Sequence, residues 1–308
     1  HIAVATTRAK TIPPAMDEVT TQKWLFKLAD HYDYATAGLR KEDAPLGGPG
    51  RAVLAETKLQ THVATPAISL ADAVTQVAAQ YPGTPPKQTV VGKLPESVTQ
   101  RDLGVTAVLA GEPWQLPVGI RESDLQPQFL ELFEGEHALI AGPARSGKSS
   151  LLLAIAEAAR MASPEVKVFG LCSRRSPLAD AGLDQVANSP DETAPVIAAI
   201  RLQRGPVLLL IDDAERFADT DQSIAALVGN SPANLHIVAA GRADDLRSLY
   251  NHWTKTLRKS RCGVLLQPNI DFDGELLGAQ IPRKAPVRIS TGRGYACTGG
   301  AVELAQAA

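Results

Sequence analysis

Apolar residues along this chain gather in short dense runs separated by polar turns. Val207-Leu208-Leu209-Leu210-Ile211 contains no polar side chain and ends in Asp212-Asp213. A strand apolar on both faces fits a parallel sheet covered on both sides, whose chemistry emerges at the C-terminal strand ends. Residues 136–141, 166–171, 235–240 and 262–266 read as further strands. Residues 149–162, 193–203 and 243–257 carry helical spacing between them. Alternating strand and helix predicts an α/β domain with a mostly parallel sheet flanked by helices.

The pattern also repeats. His1-Ile2-Ala3-Val4-Ala5 resembles His236-Ile237-Val238-Ala239-Ala240. Trp24-Leu25-Phe26-Lys27-Leu28 parallels Gly263-Val264-Leu265-Leu266-Gln267, and Gly50-Arg51-Ala52-Val53-Leu54 parallels Gly292-Arg293-Gly294-Tyr295-Ala296. Asp33 precedes Gly38 by the same spacing as Asp273 precedes Gly278. This ordering predicts that residues 1–65 are the C-terminal part of a preceding copy of the fold, with a first strand at residues 1–5. Residues 66–100 form a connector, and residues 101–308 a complete copy. In the connector, Ile68, Leu70, Ala73, Val74 and Val77 share one helical face. Tyr81-Pro82-Gly83-Thr84-Pro85-Pro86 breaks that helix, and residues 90–95 read as extended.

The sharpest chemical signal is Gly142-Pro143-Ala144-Arg145-Ser146-Gly147-Lys148-Ser149, followed by Ser150. It fits the P-loop pattern, between a predicted strand and a predicted helix. Gly142 and Gly147 let the backbone turn so that its N–H groups converge on phosphate oxygens, and the following helix aims its positive end at the same anion. In that arrangement Lys148 meets the β and γ phosphates, Ser149 ligates Mg²⁺ and Ser150 supports the α phosphate of ATP. Arg145 adds charge to the loop or faces solvent. Asp212 is the natural Mg²⁺ partner, and Asp213 the candidate base that orients the attacking water.

Composition narrows the choice. Among 308 residues, 44% are apolar, too many for a disordered chain. The formal charge of −2 gives no global attraction to nucleic acid or anionic lipid, which weighs against duplex DNA as cargo. The three cysteines, Cys172, Cys262 and Cys297, form no close pair, and the six histidines show no ligand spacing. No run approaches the ~20 apolar residues of a membrane helix. The abrupt start at His1 reads as a fragment, with any membrane anchor lying upstream.

These features resemble a known family. Trp114-Gln115-Leu116-Pro117-Val118-Gly119-Ile120, Asp124, Pro127, the His137 strand and the P-loop are similar to the opening of an FtsK/SpoIIIE-type ATPase domain. Asp273-Gly274-Glu275-Leu276-Leu277-Gly278 and the Gly292-Arg293-Gly294 strand match its close. Tandem copies, joined through Leu94-Pro95-Glu96-Ser97-Val98, resemble the C-terminal ATPase domains of the type VII secretion proteins EccC/EssC. The resemblance implies a RecA/FtsK-like P-loop NTPase with ATP and Mg²⁺ as ligands. It also implies a homo-oligomeric ring at the cytoplasmic face of the membrane. The cargo would be a WXG-type secreted protein, recognised through its C-terminal signal peptide.

The sequence departs from that pattern in three places. Asp213 stands where active domains carry Glu, which retracts the carboxylate by about one bond; misplacement on the scale of 1 Å can cost ~100-fold in rate. Gly241-Arg242 occupies the place of a polar sensor, and Cys172-Ser173-Arg174-Arg175-Ser176-Pro177 replaces an acidic or polar stretch. The expectation is a module that binds ATP and hydrolyses it slowly on its own. The alternatives are a regulatory module, in which ATP is a structural ligand that stabilises the fold or holds a peptide, and an FtsK-like DNA translocase domain. Arg247, Arg258, Lys259 and Arg261 read either as a source of an arginine finger or as a solvated face. Trp114, Trp253, Leu249 and Tyr250 read either as a peptide pocket or as core.

Overall fold

The computed structural model describes residues 2–65, 67–81, 83 and 92–308. The chain divides into two compact units, residues 1–89 and 90–308. The break read at residues 81–86 and the start of the extended stretch at residues 90–91 lie largely or wholly outside the described residues.

Unit 1 carries the short helices α1 (Pro14–Glu18) and α2 (Tyr32–Thr36) and the strands β1 (Trp24–Leu25), β2 (Arg51–Leu54) and β3 (Gln60–His62), paired antiparallel in that order. Leu25, Tyr34, Leu39 and Val53 form its small core. The Tyr34 hydroxyl donates to the Phe26 carbonyl at 3.2 Å and accepts the Leu28 N–H at 2.8 Å. Residues 2–5 form no strand. An extended segment is stable only against a partner, and the described part of unit 1 offers it none. Helix α3 (Leu70–Gln80) is capped by the Ser69 hydroxyl, which accepts the Asp72 N–H at 3.1 Å. Its apolar face, with Leu70, Val74 and Val77, is exposed.

Unit 2 contains β4 (Trp114–Arg121), β5 (Pro127–Leu132), β6 (Ala138–Gly142), α4 (Lys148–Ala162), β7 (Lys167–Leu171), β8 (Gln185–Ala187), α5 (Thr193–Arg201), β9 (Val207–Ile211), α6 (Ser223–Gly229), β10 (Leu235–Arg242), α7 (Ala243–Ser248), α8 (Thr254–Leu257), β11 (Cys262–Leu266), β12 (Arg293–Thr298) and β13 (Ala301–Ala307). They make one ten-stranded sheet in the order β5-β4-β13-β12-β11-β6-β10-β9-β7-β8. From β11 to β8 all neighbours run parallel; from β11 to β5 all run antiparallel. The α/β expectation therefore holds, and two antiparallel hairpins extend the parallel half.

Side-chain alternation along the strands builds the core on both faces. Leu139, Leu209, Ile211 and Ile237 point to the side covered by Val196, Ile197, Leu227 and Trp253 of the α5–α8 region. Ile140, Leu208, Leu210 and Val238 point to the side of Leu151, Leu152 and Ile155 on α4. Each fully buried Leu or Ile contributes about 1.5–3 kcal/mol relative to exposure. The helix expected over residues 243–257 is interrupted between α7 and α8. There the His252 imidazole Nε2 and the Trp253 indole N–H both meet the Phe217 carbonyl, at 3.0 and 2.8 Å, and this tertiary anchor overrides local helical spacing. No helix among the described residues is long and apolar enough to cross a membrane.

The strand pairings of the two units can be laid side by side. In unit 1, Trp24 faces Leu54 and Arg51 faces His62; in unit 2, Val264 faces Ala296 and Arg293 faces Gln306. The Val63 N–H donates to the Gly50 carbonyl at 2.8 Å, and the Ala307 N–H to the Gly292 carbonyl at 2.7 Å. In the turns between, Leu39 N–H donates to Tyr34 and Ala279 N–H to Gly274, each at 2.9 Å. The pairing matches Trp24 with Val264, one residue beyond the match suggested by side chains alone.

Arg293 ties unit 2 together. Only 6% exposed, its guanidinium donates to Gln306 Oε1 at 3.1 Å and to the carbonyls of Arg288 at 3.0 Å, Leu94 at 3.4 Å and Pro95 at 2.6 Å. Hydrogen bonds from a charged donor contribute about 1.5–3 kcal/mol each, with non-additive sums. Arg293→Ala is expected to cost unit 2 about 3 kcal/mol, read from denaturant unfolding; an unchanged midpoint would refute the clamp.

Two buried histidines sit at the opposite end of the sheet. The Ile237 N–H donates to His137 Nδ1 at 3.2 Å, and His236 Nδ1 meets the Glu136 carbonyl at 2.8 Å. Burial, with His236 alongside, holds the His137 imidazole down at about 4, against 6.5 in the open chain. The folded state therefore binds fewer protons than the unfolded chain below pH 6.5, so stability is full above that pH and falls as pH drops toward 4. The limiting slope is about 1.4 kcal/mol per pH unit for this group. Urea unfolding between pH 7.5 and 5 is expected to show that decline, and His137→Gln to flatten it.

Candidate functional site

The phosphate-type loop leaves β6 at Gly142 and enters α4 at Lys148. β6 lies between β11 and β10, and β10 lies between β6 and β9. The acid-tipped strand is thus one strand removed from the loop. Gly147 has φ +106°, a conformation strained for any residue with a side chain, and it caps α4. Arg145 has φ +62° and is exposed, as are Pro143, Ala144 and Ser150. Ser146 is fully buried and its hydroxyl has no hydrogen-bond partner among the described residues. Its carbonyl accepts the Gly292 N–H at 2.9 Å, which fastens the loop to the residue preceding β12.

Lys148 folds back over its own loop. Its ammonium donates to the carbonyls of Pro143 at 2.7 Å and Gly142 at 3.1 Å. Burial lowers its pKa, against the opposing pull of the Glu215, Asp212 and Asp213 carboxylates. The Ser149 hydroxyl donates to Asp212 Oδ2 at 2.7 Å across 63 residues of chain. The Ser176 hydroxyl donates to the same oxygen at 2.6 Å, and the Asp213 N–H to the other at 3.1 Å. Asp212 is 2% exposed. Asp213 is turned into a left-handed conformation, φ +54°, and its carboxylate accepts the Ser173 hydroxyl at 3.2 Å.

A hydrogen bond thus joins Ser149 to Asp212, with Lys148 next to Ser149 and Asp213 next to Asp212 in the chain. The donor set suits the hard ion: a serine hydroxyl and a carboxylate within 2.7 Å of each other supply oxygen ligands, and Mg²⁺ completes its shell with waters and substrate phosphates. An exposed loop at a helix N-terminus, beside a lysine held to carbonyls alone, is chemistry that can receive a polyphosphate. Ser173 and Ser176 lie in the stretch that departs from the family pattern, and no motif marks Glu215. A carboxylate three residues after Asp212 was the one available signal for Glu215.

Other candidates resolve into structure. Trp114 and Trp253 are core residues, and Tyr250 is exposed. Arg247 pairs with Asp244 and, at 2.9 Å, with buried Asp273. Arg258 donates to the Leu246 carbonyl, while Lys259 and Arg261 are exposed. The three cysteines are free and buried, and burial raises the thiols of Cys262 and Cys297 to about 12 and that of Cys172 to about 11.

Fold and loop together are those of the α/β P-loop class. No family model matches the chain. It is 30% identical over 197 residues to the ESX-1 secretion system protein EccCb1 of Mycobacterium tuberculosis, a match spanning 59% of this chain and 32% of that protein. The chain therefore covers about a third of the length of that relative. Among solved structures, EssC (ATPases 2 and 3) from Geobacillus thermodenitrificans superposes with TM-score 0.62 at 19% identity, over 97% of this chain and 63% of the other. EccC (ATPases 2 and 3) of Thermomonospora curvata, solved with a signal sequence peptide, gives 0.58 at 20% identity, over 98% and 60%. The chain resembles the tandem ATPase domains of the EccC/EssC type VII secretion proteins, as its motifs imply.

Proposed function

We propose that this chain is an ATP-binding, slowly ATP-hydrolysing part of a type VII secretion motor that drives or gates export of WXG-type proteins. The hydrogen bond from Ser149, the residue after Lys148, to Asp212 carries this reading. Gly142, Pro143, Ala144, Arg145, Ser146 and Gly147 wrap the phosphates, Lys148 leaves its two carbonyls to contact the β and γ phosphates, and Ser150 supports the α phosphate. Ser149 and Asp212 hold Mg²⁺, which neutralises charge on the β and γ oxygens when bound. Asp213 is placed to orient the attacking water only weakly, because its carboxylate is short and engaged by Ser173, which makes hydrolysis slow.

In this reading residues 1–65 are the C-terminal part of a preceding domain, residues 66–100 a connector and residues 101–308 a whole domain. The matching registers of β1-β2-β3 and β11-β12-β13 support that division. The longer protein assembles as a homo-oligomeric ring at the cytoplasmic face of the membrane and takes the C-terminal signal peptide of its cargo. The similarity to EccCb1, and a structural relative solved in complex with a signal sequence peptide, support this partner. One observation favours a second reading, in which ATP is a regulatory ligand: two serine hydroxyls already occupy the same Asp212 oxygen.

Lys148→Ala is expected to weaken ATP binding at least 100-fold by calorimetry with Mg²⁺ present; unchanged affinity would end the nucleotide reading. Asp213→Glu separates the two roles. A rise in turnover of tenfold or more is expected for a detuned motor, and no change would favour the ligand role.

A further inference from the structure

Three features converge on Glu215, a half-buried residue in the turn that follows β9. The first is space. β10 ends beside the loop, with Arg242 in register with Gly142, and a polar side chain at the end of this strand would stand between the loop and Asp212. Gly241 provides none. A Cβ at Gly241 would lie 2.7 Å from Glu215 Oε2 and 3.0 Å from Leu246 Cδ1, so the carboxylate fills the volume that a side chain there would take.

The second is anchoring. The same Oε2 accepts the Arg242 N–H at 3.3 Å, which ties the carboxylate to the end of β10. The third is the engagement of the neighbouring carboxylate. Asp213 is drawn aside by its left-handed backbone, by Ser173 at 3.2 Å and by Arg216, whose Nε lies 3.9 Å from the same oxygen.

We propose that Glu215 is the carboxylate that holds the attacking water against the terminal phosphate, in the place that Gly241 leaves open. The assignment rests on the nucleotide reading above and deepens it. The water oxygen forms a bond to the γ phosphorus, the bond from that phosphorus to the β–γ bridging oxygen breaks, and ADP leaves with the electron pair. The water proton passes to Glu215, which returns it to the inorganic phosphate. Burial, reinforced by Asp213 and Asp245, raises the pKa of this carboxyl, which suits it to accept that proton. The missing glutamate next to Asp212 is thereby replaced by one three residues later.

The test uses the whole chain and two measurements. One is the affinity for Mg·ADP with and without fluoroaluminate, which mimics the terminal phosphate in transfer; the other is turnover of Mg·ATP. The unmodified chain is expected to bind ADP at least tenfold more tightly with fluoroaluminate. Glu215→Gln should keep ADP affinity within about twofold, lose that tightening and lose at least tenfold in turnover. Gly241→Ala, which displaces the carboxylate, should reproduce the effect, with folding checked by ADP binding itself. Retained tightening and turnover in Glu215→Gln would overturn the assignment, as would loss of both only in Asp213→Asn. ADP binding by the unmodified chain without any tightening would overturn it too, leaving the nucleotide reading intact. Equal ADP binding by Lys148→Ala and the unmodified chain would remove that reading, and this assignment with it.

Discussion

The hydrogen bond from the Gly292 N–H to the Ser146 carbonyl is the contact on which the site depends. A phosphate loop needs its amide groups held in a convergent array, and a glycine-rich segment loses much conformational entropy in adopting one. α4 anchors the loop at Lys148, and Gly292 anchors it at Ser146 from a segment that arrives late in the chain. Gly292 is fixed in turn by the Ala307 N–H on its carbonyl and by the neighbouring Arg293 clamp. The antiparallel half of the sheet is thus the brace for chemistry carried by the parallel half.

The electrostatics follow from that geometry. Burial opposes the charge on Lys148, while the Glu215, Asp212 and Asp213 carboxylates favour it. A polyphosphate entering this site brings negative charge toward Asp212, Asp213 and Glu215. Asp212 and Ser149 would hold a divalent cation there, and its charge would relieve that repulsion, which would couple cation and nucleotide binding.

Much of this was legible in the residue order because it is written in local pattern. The unbroken Val207–Ile211 run announced a strand buried on both faces, and the loop signature stood between a strand and a helix. The order of repeated segments anticipated the paired registers, apart from a one-residue offset at Trp24. What escaped depends on distant parts meeting. Nothing near Glu215 indicates that its carboxylate lies over Gly241, and nothing near Ser176 indicates Asp212 as its acceptor. The split between α7 and α8 comes from the Phe217 carbonyl, far away in sequence. Residues 2–5 carry strand composition, yet composition does not supply a neighbour to pair with.

Arg293 has a structural consequence. Its guanidinium grips the carbonyls of Leu94 and Pro95, where the polypeptide comes into unit 2, while its backbone pairs with Gln306 near the far end. The entry to unit 2 and the loop at Ser146 are therefore linked through one residue, because Arg293 adjoins Gly292, whose N–H meets the Ser146 carbonyl.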